Sequence, residues 1–407
     1  MNSNHERPLD LLVDISSVRV PLTGVGRYTL EILAQLTQSP EQIQLRGFND
    51  YRNYDPAALS AFVTSFDGPT SRSSTDARPV TGLGLRPLAK QVYKRVPGAR
   101  QLRTKLQNKR IASGMAQNGE SIYWQPNFIL GESKGPAMVT VYDLSHVRFP
   151  GFHPAERLNW LQRGLAKSLD SAAHVMTVSE FSKAEIIAVY GFPAEKVSVV
   201  YPGVAAIFHR RYSADALAGV KKKYHLPAQY LLSLGTFEPR KNLKNLIQAY
   251  AQLPSVLRKH YPLVLAGGPG WNHRETDKLI RQLQASGELI RLGYVDQCDL
   301  PLLYQGASAF AYVSFYEGFG MPVAEAMASG IPVITSAGGS MEEVALGCAQ
   351  LVEADDVRSI TEGLALVLEN LSSLRSRCDR AQQVSKQYSW ALSAEKLVNT
   401  AREISLK

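Results

Sequence analysis

The stretch SAFAYVSFYEGFGMPVAEAMASGIPVITS, Ser308 to Ser336, decides how the rest of the chain is read. An apolar run ends near Ser314, a loop with Gly318 and Gly320 follows, and a helical pattern begins near Pro322. Proline suits the first turn of a helix, where its missing N–H has no partner to lose. A second apolar run, PVITS, closes the unit. Strand, loop, helix and strand in that order make a βαβ unit with parallel strands. Upstream, YLLSLGTF, PLVLAGG and LIRLGYV read as further strands of one sheet, and AQLVE follows downstream. An independent series opens the chain: LDLLVDIS, IQLRGFN, SIYWQPNF, AMVTVYDLS, AHVMTVS and VSVVYPGV, with helical stretches between the later runs. YPGVAAIFHRRYSADA carries no strong period and separates the two series near residue 205. The sequence therefore predicts an α/β protein of two tandem, doubly wound, Rossmann-like domains, 1–204 and 205–385. A last helix over 386–407 is expected to cross back to the first domain. Strand ends of two such sheets face one another across a cleft, and ligands of open α/β sheets bind at those ends.

A chain of 407 residues exceeds one ordinary core. Hydrophobic residues make up 45% and charged residues 20%, the balance of a soluble globular protein. No apolar run reaches the roughly 18 to 20 residues that span a bilayer. MNSNHERPLDLLVDIS carries acids around a very short apolar stretch and is not a signal peptide. Cys298, Cys348 and Cys378 form no metal spacing and leave one thiol over in any disulfide scheme, so a reducing, cytoplasmic location is expected. The net charge of +9 is unevenly placed. Residues 50–120 break the rhythm of strands and helices as a basic insertion. Ten Lys or Arg residues fall from Arg78 to Arg110, and no acid lies between Asp76 and Glu120. Leu83, Leu85, Leu88, Val92, Tyr93, Val96, Leu102 and Leu106 interleave with them. Two readings stay open: a solvated basic helix, or a peripheral foothold on an anionic membrane surface or a lipid diphosphate. Nucleic acid is the weaker partner, since no zinc spacing, RNP motif or helix-turn-helix pattern accompanies the charge.

In the deciding stretch, Gly318 and Gly320 let the backbone approach a ligand, and the helix start offers amides and a positive dipole end to an anion. A diphosphate would fit there. Glu317 ends the loop on the strand side, and Glu325 lies about one turn into the helix, where a carboxylate can receive a vicinal diol. Acids that merely complement the helix dipole are the plain alternative. In LLSLGTFEPRKNLKNLIQAY a strand ends at Gly235, and Arg240 and Lys241 follow a turn made by Pro239. A guanidinium fork and an ammonium supply positive charge where a diphosphate leaving group gathers negative charge. The plain alternative, a basic helix start, opposes the local dipole and so needs a reason.

The string from Glu317 to Glu325 closely resembles the E-x7-E signature of retaining glycosyltransferases of the GT-B fold, specifically the large GT4 family, and the resemblance covers most of the chain. It implies that Glu317 holds hydroxyls of the transferred sugar, that the amides of Gly318, Phe319, Gly320 and Met321 contact sugar and phosphate, and that Glu325 holds the nucleotide ribose. Arg240 and Lys241 match the pair that takes the donor diphosphate. DISSVRVPLTGVGRYTLEIL places Gly24 and Gly26 between the first strand and helix. Thr29 stands where a dinucleotide fingerprint needs glycine, while the wording resembles the GVGRY loop beside the donor in mannosyltransferase-like members. Arg27 is either a ligand or a surface residue.

In VTVYDLSHVRFPGFHP, Tyr142 stands where relatives commonly have a histidine that approaches the sugar. His146 either compensates or sits on the surface. Asp143 is a sugar or acceptor contact, or a helix N-cap. Ser179 reads as an N-cap, with Ser182 and Lys183 facing the cleft. Tyr294 and Val295 follow a strand where relatives cradle the base, and Gly267, Gly268 and Gly270 end another; plain turn chemistry accounts for either.

The resemblance implies a metal-independent, retaining hexosyltransferase without a cofactor. It would use a GDP-sugar, with mannose or rhamnose favoured, and act on a hydroxyl of a lipid-linked glycan in surface-polysaccharide (O-antigen-like lipopolysaccharide) assembly. No D-x-D motif lies at a strand end; Ala354 to Asp356 form a late loop. A UDP-sugar donor, a nucleotide-sugar epimerase or a phosphorylase are the rivals on the same architecture. A non-enzymatic nucleic-acid binder would show salt-sensitive binding and would leave the two acids and Arg240/Lys241 without a task.

Overall fold

The computed structural model describes residues 8–20, 22–66, 99–115, 121–268 and 277–406, with nothing stated of the side chains of 99–103. The first sheet contains β1 (Leu9–Asp14), β2 (Ile43–Phe48), β3 (Asn53–Tyr54), β4 (Ile122–Gln125), β5 (Ala137–Thr140), β6 (His174–Thr177) and β7 (Val197–Val199). Its order is β3-β2-β1-β4-β5-β6-β7. All its pairings are parallel except that of β2 with β3. β1, β4, β5 and β6 are buried along their whole lengths, as a parallel sheet covered on both faces requires.

The second sheet contains β8 (Leu231–Leu234), β9 (Leu263–Ala266), β10 (Leu289–Gly293), β11 (Ala309–Tyr312), β12 (Val333–Ser336) and β13 (Gln350–Val352). It runs β10-β9-β8-β11-β12-β13, entirely parallel. In each sheet the winding reverses once, between β1 and β4 and between β8 and β11. A doubly wound sheet opens a crevice beyond the strand ends at such a reversal.

The domains are tied by the end of the chain. The helix Trp390–Ser405 packs along the helix Gly24–Leu36 of the first domain. The Trp390 ring meets Tyr28 edge-on at 5.8 Å, and the Ser393 hydroxyl donates to the Tyr201 carbonyl. Near residue 205 the chain is held rather than loose, since the Val204 amide donates to the Tyr388 carbonyl at 2.8 Å. One apolar cluster runs from Val13 and Tyr28 through Trp390 and Tyr388 to Phe319 and Val323, joining both domains.

Of the basic insertion, the helix Ala99–Met115 lies against β1 and β4. Ile111 is fully buried, Gln107 donates to Asp14 at 2.8 Å, and Arg110 donates to the Asn49 carbonyl at 2.5 Å. Beneath it, Arg46 grips Asp10 with two hydrogen bonds, 3.0 and 2.7 Å, and donates to the Gly114 carbonyl. Lys105, Leu106 and Lys109 face solvent. Residues 78–98, which carry most of the interleaved apolar positions, lie outside the described residues. No helix among the described residues is long and apolar enough to cross a membrane.

Candidate active site

The crevice between β8 and β11 holds the charged centre. After β8 the chain makes one 3-10 turn, Pro239–Lys241, and Asn242 takes a left-handed conformation (φ 56°). The Asn242 side-chain Nδ2 donates to the carbonyls of Val313 and Ala354, 2.9 and 2.6 Å, which fixes the turn against the end of β11. Arg240 and Lys241 thereby converge on Glu317. Arg240 donates to Oε2 at 2.6 Å and Lys241 to Oε1 at 2.7 Å. The Tyr312 hydroxyl donates to Oε1 at 2.9 Å, and Arg240 also reaches the Tyr316 carbonyl at 2.7 Å.

Burial alone would raise the Glu317 carboxyl, but the Arg240 and Lys241 charges outweigh it and hold it at about 2. The same balance runs the other way for the cations. Burial opposes the charge of Arg240, yet Glu317 and then Asp143 raise it above its ordinary value. Burial likewise opposes the Lys241 ammonium, and Glu317 overcomes it. The centre therefore sets two cations against Glu317 out of bulk water, with Glu238 3.3 Å from Arg240 and the Asp143 charge also acting on that guanidinium. It can receive a diphosphate once Glu317 is turned toward a neutral partner such as a sugar hydroxyl.

The loop after Glu317 is pinned between domains. The Gly318 carbonyl accepts from Ser179 Oγ at 2.6 Å and Ser182 Oγ at 3.2 Å, and Ser340 Oγ donates to the Glu317 carbonyl at 2.8 Å. A Cβ on Gly318 would lie 2.1 Å from the Tyr142 carbonyl oxygen, so this position is glycine because another backbone passes there. Gly320, at φ 99° and ψ 49°, caps the helix Met321–Ala328 in a conformation closed to most residues. The Phe319 ring is buried between Tyr201 and Tyr388, so this residue meets a ligand only through its backbone. Met321 is half-buried at the helix start.

Glu325, one turn on, accepts from the Tyr304 hydroxyl at 3.0 Å. Burial pushes its carboxyl up to about 7, with the Arg27 charge and the Tyr304 hydrogen bond opposing. Arg27 thus acts across the cleft on Glu325. Gly24 opens its helix, which Thr23 caps by accepting from the Gly26 amide at 3.2 Å, and Gly26 packs on the Ser17 carbonyl. Gly235 ends β8 beside Gly267, its amide donating to the Ala266 carbonyl at 2.9 Å. Tyr294 follows β10 and is 58% exposed, whereas the Val295 side chain joins the apolar core. Gly270 lies outside the described residues.

On the facing domain, one Asp143 oxygen accepts from the Ser145 amide and hydroxyl, 2.9 and 2.6 Å, while the Asp143 charge acts on Arg240. Tyr142 donates its hydroxyl to the Pro126 carbonyl at 2.7 Å and packs edge-on against Tyr28, so it anchors the loop. His146 is buried, 1% exposed, which rules out the surface reading; burial lowers it to about 4, against the pull of Asp143. Among the described residues neither of its ring nitrogens has a hydrogen-bond partner. Ser182 lies inside the domain contact, donating to the Tyr142 carbonyl at 3.2 Å. Among the described residues no group of three His, Cys, Asp or Glu is placed to hold a metal ion.

Two family models match: "Glycosyltransferase Family 4" over residues 22–206 and "Glycosyl transferases group 1" over 221–384. The chain is 33% identical over 383 residues to O-antigen chain mannosyltransferase B of Escherichia coli, covering 94% of this chain and 96% of that protein. The chain belongs to the GT-B glycosyltransferases of the bacterial O-antigen type. This glycosyltransferase is also 30% identical over 222 residues to the O-antigen chain mannosyltransferase RfbU of Salmonella typhimurium, across 54% of this chain and 58% of that one. Its fold matches sucrose-phosphate synthase from Thermosynechococcus elongatus with a TM-score of 0.69 at 17% identity, covering 98% and 99% of the two chains.

Of the residues expected from the glycosyltransferase's sequence, the structure brings Arg240, Lys241, Glu317 and Asp143 into one electrostatic centre. Two groups were missed. His153, before Pro154, shares the neighbourhood of Asp143 and Arg240. Glu343 reaches across the cleft to accept from the amides of Glu180 and Phe181, 2.8 and 2.9 Å. A lone histidine and a helix-borne acid carry no spacing signal that would have marked them.

Proposed function

We propose that this glycosyltransferase moves mannose or a related hexose from a GDP-sugar to a hydroxyl of a lipid-linked glycan, with retention of anomeric configuration and without a metal ion or cofactor. The observation that carries this reading is the Arg240–Glu317–Lys241 centre at the reversal of the second sheet. Positive charge there stabilises a departing diphosphate, and the low-dielectric setting strengthens it. Glu317 positions sugar hydroxyls and is no nucleophile, since its oxygens are engaged by three donors. The anomeric C–O bond to phosphate breaks, the bond to the acceptor oxygen forms on the same face, and the acceptor proton passes to the leaving phosphate. Glu325 holds the ribose diol. The choice of mannose follows the likeness to the two O-antigen chain mannosyltransferases. The exposed basic side chains Lys105 and Lys109 support a peripheral stance at an anionic cytoplasmic membrane face.

Calorimetry with GDP, UDP and ADP, followed by donor hydrolysis assays with GDP-mannose against UDP-glucose, tests the reading. GDP should bind tightest and Glu317→Ala should abolish turnover. Binding of none of the three, with every activity intact in Glu317→Ala, would sink it.

A further inference from the structure

Three phenylalanines at the cleft have no place in either core. Phe149 and Phe152 stack in parallel, centroids 5.3 Å apart with 7° between planes. Phe315 of the other domain lies 5.9 Å from Phe152 and 6.4 Å from Phe149. All three are only half-buried, and among the described residues none belongs to the apolar clusters of the two domains. Rings of this size left partly in water forgo part of their burial free energy, which calls for a partner.

Their surroundings say what kind. The Phe315 amide donates to the Arg240 carbonyl at 3.0 Å, and Phe315 stands two residues before Glu317. Phe149 follows the short helical turn Ser145–Arg148, which Asp143 begins by accepting from Ser145. Directly after Phe152 comes His153, whose buried Nε2 has no hydrogen-bond partner among the described residues and whose ring feels Asp143 and Arg240. The group therefore offers an apolar aromatic face with a carboxylate and an imidazole at its rim. A pyranose has the complementary shape: one face of C–H groups and a girdle of hydroxyls. A purely apolar ligand would leave the rim unsatisfied, and a purely ionic one would leave the rings wet.

We propose that Phe149, Phe152 and Phe315, with Asp143 and His153 at their rim, form the subsite that seats the terminal pyranose of the acceptor glycan. The inference deepens the transferase reading given above and rests on it for the identity of the sugar as acceptor. The subsite spans both domains, so it is complete only when the cleft is closed. Seating a sugar there places it beside Arg240 and Glu317, where its hydroxyl must attack.

The test uses the full chain and three forms: wild type, Phe152→Leu and Phe152→Tyr. Saturation-transfer NMR with methyl α-mannopyranoside and mannotriose, in the presence of GDP, reads sugar binding without needing turnover. Wild type and the tyrosine variant should show transfer to ring C–H protons, and the leucine variant should lose it. In kinetics, Phe152→Leu should raise the acceptor KM by about tenfold, the scale of one aromatic contact. Calorimetric GDP affinity should stay unchanged in all three, which also reports that the variants fold. Equal sugar binding in Phe152→Leu, an unchanged acceptor KM, no transfer to either sugar in wild type, or a fall in GDP affinity that would mark the rings as a base site, each overturns the proposal. An active transferase with an unaltered acceptor KM removes the subsite and leaves the function standing. Ring-dependent sugar binding in a chain that neither binds GDP nor turns over a donor does the reverse.

Discussion

The Glu343 carboxylate accepts the Phe181 amide at 2.9 Å, so an acid carried by the second domain caps a helix of the first. The Glu180 amide at 2.8 Å and the Tyr201 hydroxyl at 2.8 Å complete the contact. Charged acceptors at a helix start gain from both the free amides and the dipole, about 1.5 to 3 kcal/mol per hydrogen bond to a charged group. Glu343→Ala should therefore loosen the closed arrangement while leaving each domain folded. Small-angle scattering should show a larger radius of gyration, and kcat should fall more than nucleotide affinity. An unchanged scattering curve with unchanged kcat refutes this role.

Removing the anion from the charged centre should expose the cost of the two cations. Glu317→Gln leaves Lys241 buried without its counterion and Arg240 with only Glu238 and the Asp143 charge, which costs about 3 kcal/mol by analogy with broken buried pairs. Thermal unfolding should show the loss, and added GDP should restore more stability to the variant than to wild type, because phosphate replaces the missing charge. The sign with pH is also set. The folded carboxyl titrates at about 2 against an ordinary 4.5, so its contribution is complete above pH 4.5 and fades as pH falls toward 2. The glutamine variant should lack that part of the acid sensitivity.

Glu325 gives the opposite sign. Burial raises its carboxyl to about 7, so it takes up a proton across neutrality, and folding stability should decline as pH rises from 4.5 to 7. A ribose diol prefers the carboxylate, so nucleotide binding should release a proton near pH 7 and weaken below it, by up to about tenfold per pH unit. Calorimetry in buffers of different ionisation enthalpy measures this directly. Arg27→Ala should move the transition to higher pH, since Arg27 opposes the shift. A proton count of zero in every buffer contradicts the assignment.

Gly318→Ala should push the loop off the facing domain, since its Cβ would meet the Tyr142 carbonyl oxygen at 2.1 Å. Displacement of about 1 Å at a reacting centre costs on the order of a hundredfold in rate. The expected outcome is that loss in kcat with a melting temperature near wild type. Full activity in the alanine variant would show that the domains need not meet here.

How much of this was written in the chain differs from residue to residue. The sheets were legible because strands buried on both faces leave continuous apolar runs, such as LDLLVD and AFAY. Arg240, Lys241 and Glu317 were legible as residue types in suitable turns, but not as one cluster. Their meeting, 77 positions apart in sequence for Arg240 and Glu317, depends on β8 and β11 being neighbours, which is a property of topology. Gly318 read as room for a ligand, and the structure adds a second claimant in Tyr142. His146 could be surface or site from sequence alone, because burial there is decided by how the loop after Asp143 folds back. Glu343 carries no local sequence signal, because its partner amides belong to another domain.

The carbonyl of Gly318, held by Ser179 and Ser182, has a kinetic meaning. The segment assigned to the donor's phosphates cannot relax while those serines keep hold of it, and the serines cannot withdraw without pulling on the segment. Under the proposed function, parting of the two halves and release of the spent nucleotide are expected to be coupled through this contact. Turnover would then be metered by breakage of this short contact rather than by the sugar transfer that precedes it.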